Sequence, residues 1–196
     1  MLPCWAPFPP GQSVSDGART LWRLDRGPAR HDARLMIVSP LRPDLTALNE
    51  QAGWSTGVSG RSADYDPFLQ ALRSGSTWRF RCTINPTTAV RKSAGSREQR
   101  VAEVTAEQQL AWFIGRAERH GYTVPVNDQG TPSAQVSRRE TLRFRRQRST
   151  VTLAVSQVDG VIQIQDADAA RLALVQGIGP AKSYGCGLMT LAPTVR

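Results

Sequence analysis

The sequence has few of the residues on which metal sites and disulfide-rich folds depend. Its three cysteines, Cys4, Cys82 and Cys186, are far apart and include no C-x-x-C pair, and its two histidines are His31 and His120. Neither a zinc site nor a disulfide framework is therefore expected, and we predict no metal and no cofactor. Such sparse cysteines fit a reducing cytoplasm, which is the predicted location.

Long apolar runs are also missing. No stretch approaches the roughly 20 apolar residues that a membrane helix needs. The proline-broken start, MLPCWAPFPPG, lacks the basic and apolar regions of a signal peptide. No G-x-x-x-x-G-K-[ST] pattern is present, which excludes a P-loop. The sequence thus predicts no membrane partner and no P-loop nucleotide site.

Lysine is scarce although the chain is strongly basic. Of the 25 basic residues only Lys92 and Lys182 are lysine, the formal net charge is +9 and the isoelectric point is about 10.6. A positive surplus of this size favours polyanionic partners, and arginine's planar fork suits phosphates and guanine edges. A GC-rich genome also favours arginine codons, and we expect both reasons to apply.

Periodicity and turn signals predict a mixture of strands and helices. Trp78, Phe80 and Cys82 alternate with polar residues, so their strand has one apolar and one basic face. Thr105 and Gln108 match a capping box that opens a helix. The predicted strands are 21–24, 35–38, 77–86, 122–126, 138–148, 151–155 and 161–164, and the main helices are 67–73, 105–120 and 167–176.

Four finer expectations concern the second half. Asp159-Gly160 is predicted to be a hairpin turn, and Asp166 the N-cap of the last helix. Leu172 and Val175 are expected to face inward on that helix. His120 falls in a last helical turn, where a cation meets the helix dipole favourably, so a structural role is preferred to a catalytic one.

The most basic stretch is residues 138–148, which carry six arginines and one glutamate. Leu142 and Phe144 alternate with arginines, which predicts a hairpin strand with one basic face. A solvated charge run is the alternative, but the density favours contact with nucleic acid. The candidate RNA-binding arginines are Arg143, Arg145, Arg146 and Arg148.

A glycine-rich loop follows the last helix and reads GIGPAKSYGCGLMTL. Glycine permits positive φ and close backbone approach, which can present peptide N–H donors to an anion. The alternative is an ordinary helix-to-strand loop whose first glycine is a C-cap. The candidate RNA-binding residues here are Gly177, Gly179, Lys182, Tyr184, Gly185 and Gly187.

The order of elements predicts an α+β fold. The second half suits a ferredoxin-like unit, and the first half looks like a similar unit without its opening strand and helix. We therefore predict an N-terminal domain over residues 1–88, a basic, mobile linker over 89–104 and a C-terminal domain over 105–196.

The glycine loop, read as GIGPAKSYGCGLMTLAP, resembles the C-terminal signature of the CasE family, the repeat-cleaving endoribonucleases of type I-E CRISPR systems. The resemblance covers roughly residues 8–193. Five further segments agree in order: LWRLD at 21–25, IVSPLRPDLTALNEQAGW at 37–54, WRFRCTINPT at 78–87, TAEQQLAWFIGRAERHGY at 105–122 and LRFRRQRSTVTL at 142–153.

This resemblance implies two tandem ferredoxin-like (RRM-like) domains, of which the first is incomplete here. It implies that the protein binds the stem-loop of the CRISPR repeat RNA and cuts once at the 3′ base of the stem. The implied cut needs no metal, because the adjacent 2′-hydroxyl attacks the phosphate and leaves a 2′,3′-cyclic phosphate. The product would stay bound beside other Cascade subunits, with the glycine loop near the cut and the arginine hairpin on the stem.

One part of the family pattern has no counterpart. The family's general acid/base is a histidine shortly before a Phe-Pro turn, and here Met1 stands at about that distance from Phe8-Pro9. The opening strand and most of the first helix are also missing, and His31 does not match the family position. We therefore name no catalytic residue. A non-catalytic crRNA-binding subunit remains open, as does, less well supported, a basic structural protein of the ribosomal type.

Overall fold

The structure is a computed structural model. It describes residues 19–29, 32–46, 60–90, 99–146 and 149–194, without the side chain of Arg146. No helix in these ranges has the length and apolar composition that a bilayer crossing requires. His31, Arg148 and the Phe8-Pro9 turn lie outside the described residues.

The described elements alternate between strands and short helices. The strands are β1 (Leu21–Arg26), β2 (Ala33–Val38), β3 (Thr77–Ile84), β4 (Thr87–Val90), β5 (Gln99–Ala102), β6 (Tyr122–Thr123), β7 (Ala134–Arg146), β8 (Ser149–Ile164) and β9 (Met189–Pro193). The helices are α1 (Asp66–Ala71), α2 (Ala106–Ile114) and α3 (Ala167–Gln176), with 3₁₀ turns at Glu118–His120 and Lys182–Tyr184.

A five-stranded antiparallel sheet organises the fold. Strand β3 lies at its centre, paired with β8 on one side and β9 on the other, while β7 and β6 pair with the far edge of β8. Phe80, Cys82 and Ile84 of β3 are buried, whereas Arg79 and Arg81 are exposed. The two-faced strand predicted from the alternation is therefore confirmed.

The core fills the space between this sheet and helices α2 and α3. Phe113 of α2 stacks on Phe80 with ring centroids 5.1 Å apart, and Tyr122 packs beside Phe113 at 5.8 Å. Thr105 and Gln108 form the predicted capping box at the start of α2, and Asp166 caps α3 by accepting from two backbone amides. Burial of these rings and helix faces supplies the main stabilising free energy of the fold.

A buried arginine joins the β1–β2 hairpin to the main sheet. The Arg23 guanidinium pairs with both carboxylate oxygens of Asp25, at 2.7 and 2.9 Å. It also donates to the carbonyls of Arg81 and Leu188 and to the Thr190 hydroxyl, at 2.8, 3.1 and 2.9 Å. One side chain thus holds β1 against β3 and β9.

The α+β class is confirmed, whereas the tandem ferredoxin-like organisation and the domain limits stay predictions. The segment predicted as a linker contains part of β4 and all of β5, which pair as antiparallel strands. Residues 91–98 within it lie outside the described residues.

Three local predictions were wrong. Strand β8 runs through Asp159-Gly160 without a turn, because Asp159 pairs with Arg81 across the sheet and Gly160 lies close against the backbone of Ser133. Leu172 faces solvent, because α3 buries its small residues and Leu174 instead. Strand β6 ends at Thr123, three residues before the predicted end.

Candidate nucleic-acid interface

A cleft of about 660 Å³ lies between the end of α2, the end of α3 and the glycine loop. Its described lining carries five permanent cations, one histidine and no carboxylate. These groups come from separate parts of the chain. The lining residues are Arg19, Arg100, Trp112, Arg116, Arg119, His120, Gln176, Gly177, Gly179, Pro180 and Lys182.

The Arg116 guanidinium lies over the Trp112 ring in this cleft. Its guanidinium carbon lies 3.6 Å from the centroid of the Trp112 ring, and it donates to the Trp112 carbonyl at 3.0 Å. The Trp112 indole is fixed in turn by its N–H bond to the Thr87 carbonyl at 2.9 Å. A cation stacked on a fixed aromatic ring is preorganised, so it loses little side-chain entropy when an anion binds.

His120 lies in the same cleft as a neutral imidazole. Burial, together with the charges of Arg119, Lys182 and Arg116, lowers the pKa of His120 to about 4. Its Nε2 accepts a hydrogen bond from Arg119 Nε at 3.3 Å. The lowered pKa disfavours the charged form that would interact with the helix dipole, and the preference for a structural role of His120 stays a prediction.

Three amides of the glycine loop form hydrogen bonds within the protein, one of them to strand β3 of the sheet. Gly177 donates to the Ala173 carbonyl, Gly185 to Lys182 and Gly187 to Thr83, at 2.8, 3.3 and 2.6 Å. These three N–H groups are used within the protein and do not face an anion as the sequence suggested. Contact between the four predicted glycines and RNA stays a prediction.

Close approach explains the glycines better than anion binding. At Gly179 (φ 78°), a Cβ would lie 2.5 Å from the Trp112 ring. At Gly187 (φ 90°), a Cβ would lie 2.9 Å from the Ile178 carbonyl oxygen and 3.3 Å from Lys182 Cγ. The missing side chains therefore leave room for the Trp112 platform and for the stem of Lys182.

Lys182 lines the cleft. Burial and the nearby charges of Arg19 and Arg119 lower the pKa of its ammonium. In the same 3₁₀ turn Tyr184 packs on Phe144 of β7, with ring centroids 5.0 Å apart and planes tilted by 47°. This turn therefore joins the cleft to the arginine hairpin.

The arginine hairpin presents a polar, basic face. Arg139, Arg143 and Arg145 are exposed and share one side of β7, while Leu142 and Phe144 are half-buried on the other. Arg143 pairs in register with Thr152 and Arg145 with Thr150, so small polar residues flank the two arginines. Arg146 ends β7, and its side chain lies outside the description.

The geometry of Gly187 gives a stability prediction. We expect Gly187→Ala to lower the free energy of unfolding by about 1–3 kcal/mol, because the new Cβ meets backbone at a positive φ. Gly130→Ala is the matched control, since Gly130 also has a positive φ, 74°, but open space around it. Denaturant unfolding measures both variants. Equal losses at the two sites would mean that close approach at Gly187 contributes nothing.

The two described cysteines are not part of the cleft lining. Cys82 and Cys186 are buried free thiols, and burial raises the pKa of each to about 12. Across the described ranges no group of three or more histidine, cysteine, aspartate or glutamate side chains could hold a metal ion. The ionisable groups of the described cleft lining are its four arginines, Lys182 and His120.

Of the sequence candidates, the structure brings Gly177, Gly179 and Lys182 to the cleft. Tyr184 contacts the hairpin that carries Arg143 and Arg145. Sequence reasoning missed the cleft residues Arg19, Arg100, Arg116 and Arg119. The one available signal was the pair Arg116 and Arg119 near the end of the predicted helix 105–120.

The chain is similar to known proteins over nearly its whole length. A family model described as CRISPR associated protein matches residues 4–193. The CRISPR-associated endoribonuclease Cse3 of Thermus thermophilus is 29% identical over 181 residues, 89% of this chain and 80% of that protein. The Cascade subunit CasE of Escherichia coli is 30% identical over 203 residues, 96% of this chain and 88% of that one.

Solved structures agree with these relatives. Thermus thermophilus Cse3 bound to an RNA representing a pre-cleavage complex matches with a TM-score of 0.74 and 27% identity, over 89% of this chain and 78% of that chain. A chain of a CRISPR RNA-guided surveillance complex in a pre-nicking state matches with a TM-score of 0.61 and 26% identity, over 93% and 82% of the two chains.

Proposed function

Because the chain belongs to the Cse3/CasE family of CRISPR-associated endoribonucleases, we propose that it binds the stem-loop of a CRISPR repeat RNA and remains on the guide as a Cascade subunit. The observation that carries this proposal is the exposed basic face of the β7–β8 hairpin beside the basic cleft. A relative solved with RNA and another in a surveillance complex support it.

The hairpin is suited to the paired stem. A-form RNA offers phosphates and 2′-hydroxyls more readily than base edges, so shape and charge dominate its recognition. Arg143 and Arg145 point to the same side of β7 and are free to follow successive phosphates. We propose both as stem contacts, together with Arg146 and Arg148 further along the hairpin.

The proposed reaction is cleavage at the 3′ base of the stem without a metal. The 2′-hydroxyl oxygen attacks the adjacent phosphorus, the bond to the 5′-oxygen breaks, and a 2′,3′-cyclic phosphate remains. A positioned base must take the 2′-hydroxyl proton and an acid must protonate the leaving oxygen. Cations near the phosphate stabilise the charge that develops in between.

A second candidate function is guide binding without cleavage. Neither His31 nor His120 matches the family's catalytic position. Proton transfer from such a group is worth about 10²- to 10⁴-fold in rate. The hairpin and the cleft would suffice for a subunit that only holds processed RNA.

One experiment separates the two functions. A labelled type I-E repeat hairpin is incubated with the chain and EDTA, then run on denaturing and native gels in parallel. We expect a shifted complex on the native gel. A single cut at the 3′ base of the stem would support cleavage, and binding without a cut would support the non-catalytic subunit. Absence of any shifted complex at low salt would contradict both.

A further inference from the structure

The hairpin and the cleft differ in shape. The basic face of β7 is open, whereas the cleft is concave, with a volume of about 660 Å³. That volume is typical of a site for a small ligand. It admits one or two nucleotides but not a duplex. The two surfaces meet at the Lys182–Tyr184 turn, where Tyr184 packs on Phe144.

We propose that the cleft binds a phosphodiester of the unpaired nucleotides adjoining the stem, and that His120 takes up a proton when it does. The proposal rests on the proposed function, because it assumes that the stem lies on the hairpin. It adds a second, separate RNA site with its own ligand: a single-stranded phosphate.

The lining suits a phosphodiester. Arg116 is fixed on Trp112, and Lys182 lies over the glycines. Arg119 reaches the imidazole of His120 with its Nε. No described carboxylate lines the cleft, so its cations keep their charge for a ligand. Arg138 and Arg171, by contrast, are neutralised by Glu140 and Asp168.

Proton uptake by His120 follows from the same arrangement of charges. In the unoccupied cleft, burial and the charges of Arg119, Lys182 and Arg116 oppose protonation of His120. A bound phosphate brings negative charge, which offsets those cations and raises the proton affinity of the imidazole. The His120 Nε2 then becomes a donor, and Arg119 is released to bond to the phosphate.

Other charged groups near His120 do not replace this effect. Glu118 is exposed on the same turn, and Arg19 and Arg100 add further positive charge to the cleft. On the packed helix α3, Asp166 caps the helix and Asp168 pairs with Arg171. The charges that act on the pKa of His120 are all positive, so a bound phosphate would supply the opposing charge.

The direction in which RNA binding by the cleft depends on pH follows from the change in the pKa of His120. The pKa of His120 rises on binding from about 4, so binding strengthens as pH falls through the pKa of the complex. The gain in affinity reaches its maximum below pH 4, where His120 is protonated in the free protein as well. A phosphodiester does not titrate in this range, which leaves the protein as the source of the change.

The test compares RNA hairpins that carry a 2′-deoxy nucleotide at the cut site, so that none is cleaved. Three RNAs are used: the stem-loop alone, and the stem-loop with five unpaired nucleotides on its 5′ or its 3′ side. Affinities are measured at pH 7.5, 6.5 and 5.5 at constant ionic strength. We expect one flank to tighten binding, and that gain to grow about three- to tenfold per pH unit as pH falls.

Two cleft variants and one control complete the test. His120→Gln should lose the pH dependence of the gain, and Lys182→Gln should reduce the gain about tenfold at every pH. His31→Gln makes the same chemical change at the other histidine and should keep both. Thermal unfolding confirms that each variant is folded.

The outcomes separate the two proposals. If neither flank adds affinity, or if the gain in His120→Gln keeps its pH dependence, the cleft proposal is overturned while stem binding stands. If even the stem-loop alone does not bind, the proposed function itself fails.

Discussion

Arg23→Ala is expected to lower the free energy of unfolding by about 3–5 kcal/mol, the range for breaking a buried ion pair by removing one partner. The Arg23 side chain is only 3% exposed and its partner Asp25 18%. Removing the guanidinium leaves that carboxylate, two carbonyls and the Thr190 hydroxyl without their donor. Urea unfolding followed by far-UV circular dichroism measures the loss.

Arg26→Ala is the matched control, because Arg26 ends the same strand and is exposed. Its effect should stay within about 0.5 kcal/mol. Arg23→Lys should fall between the two, since an ammonium keeps the charge but cannot make the bidentate pair. If Arg23→Ala is no less stable than Arg26→Ala, the buried network does not hold the hairpin to the sheet.

The double variant Arg143→Ala/Arg145→Ala is expected to weaken binding of the repeat stem-loop about 10- to 100-fold at low salt. Both side chains are exposed on one face, so their loss removes two phosphate contacts without opening the core. The slope of log affinity against log salt should fall by about two, one for each lost contact. Filter binding over a salt series gives both values.

The control is Arg26→Ala/Arg34→Ala, which removes the same two charges from the exposed ends of β1 and β2. A change in net charge alone would weaken binding equally in the two double variants. That result would show that the RNA responds to overall charge and not to the basic face of β7. Unchanged melting temperatures in both variants would exclude a folding defect.

Local chemistry made much of the fold predictable. The alternation in β3, the Thr105–Gln108 capping box and the Asp166 N-cap each depend on residues a few positions apart, and each was confirmed. The glycine loop was recognisable for the same reason, and two of its glycines give room to Trp112 and Lys182.

The predictions were wrong where contacts between residues far apart in the sequence determine the local structure. Asp159-Gly160 has a turn sequence, but the ion pair with Arg81 and the close backbone of Ser133 keep β8 extended. The pKa of His120 is lowered first by burial in the folded chain, and Lys182, more than sixty positions away, lowers it further. The cleft could not be read from sequence, because its cations come from separate segments that meet only in the folded chain.

The central position of β3 constrains the order of folding. Its residues 77–84 pair with 156–163 and with 189–193, so both partners come from late in the chain. The Arg23 hydrogen bonds to Leu188 and Thr190 span 165 and 167 positions, so they also form only after β9 is in place. Contacts of such separation form slowly, because loop-closure entropy is lost before they are made. During synthesis one edge of β3 stays unpaired until residues 156–163 emerge and the other until residues 189–193 emerge, which delays folding and exposes nascent chains to aggregation and chaperone capture.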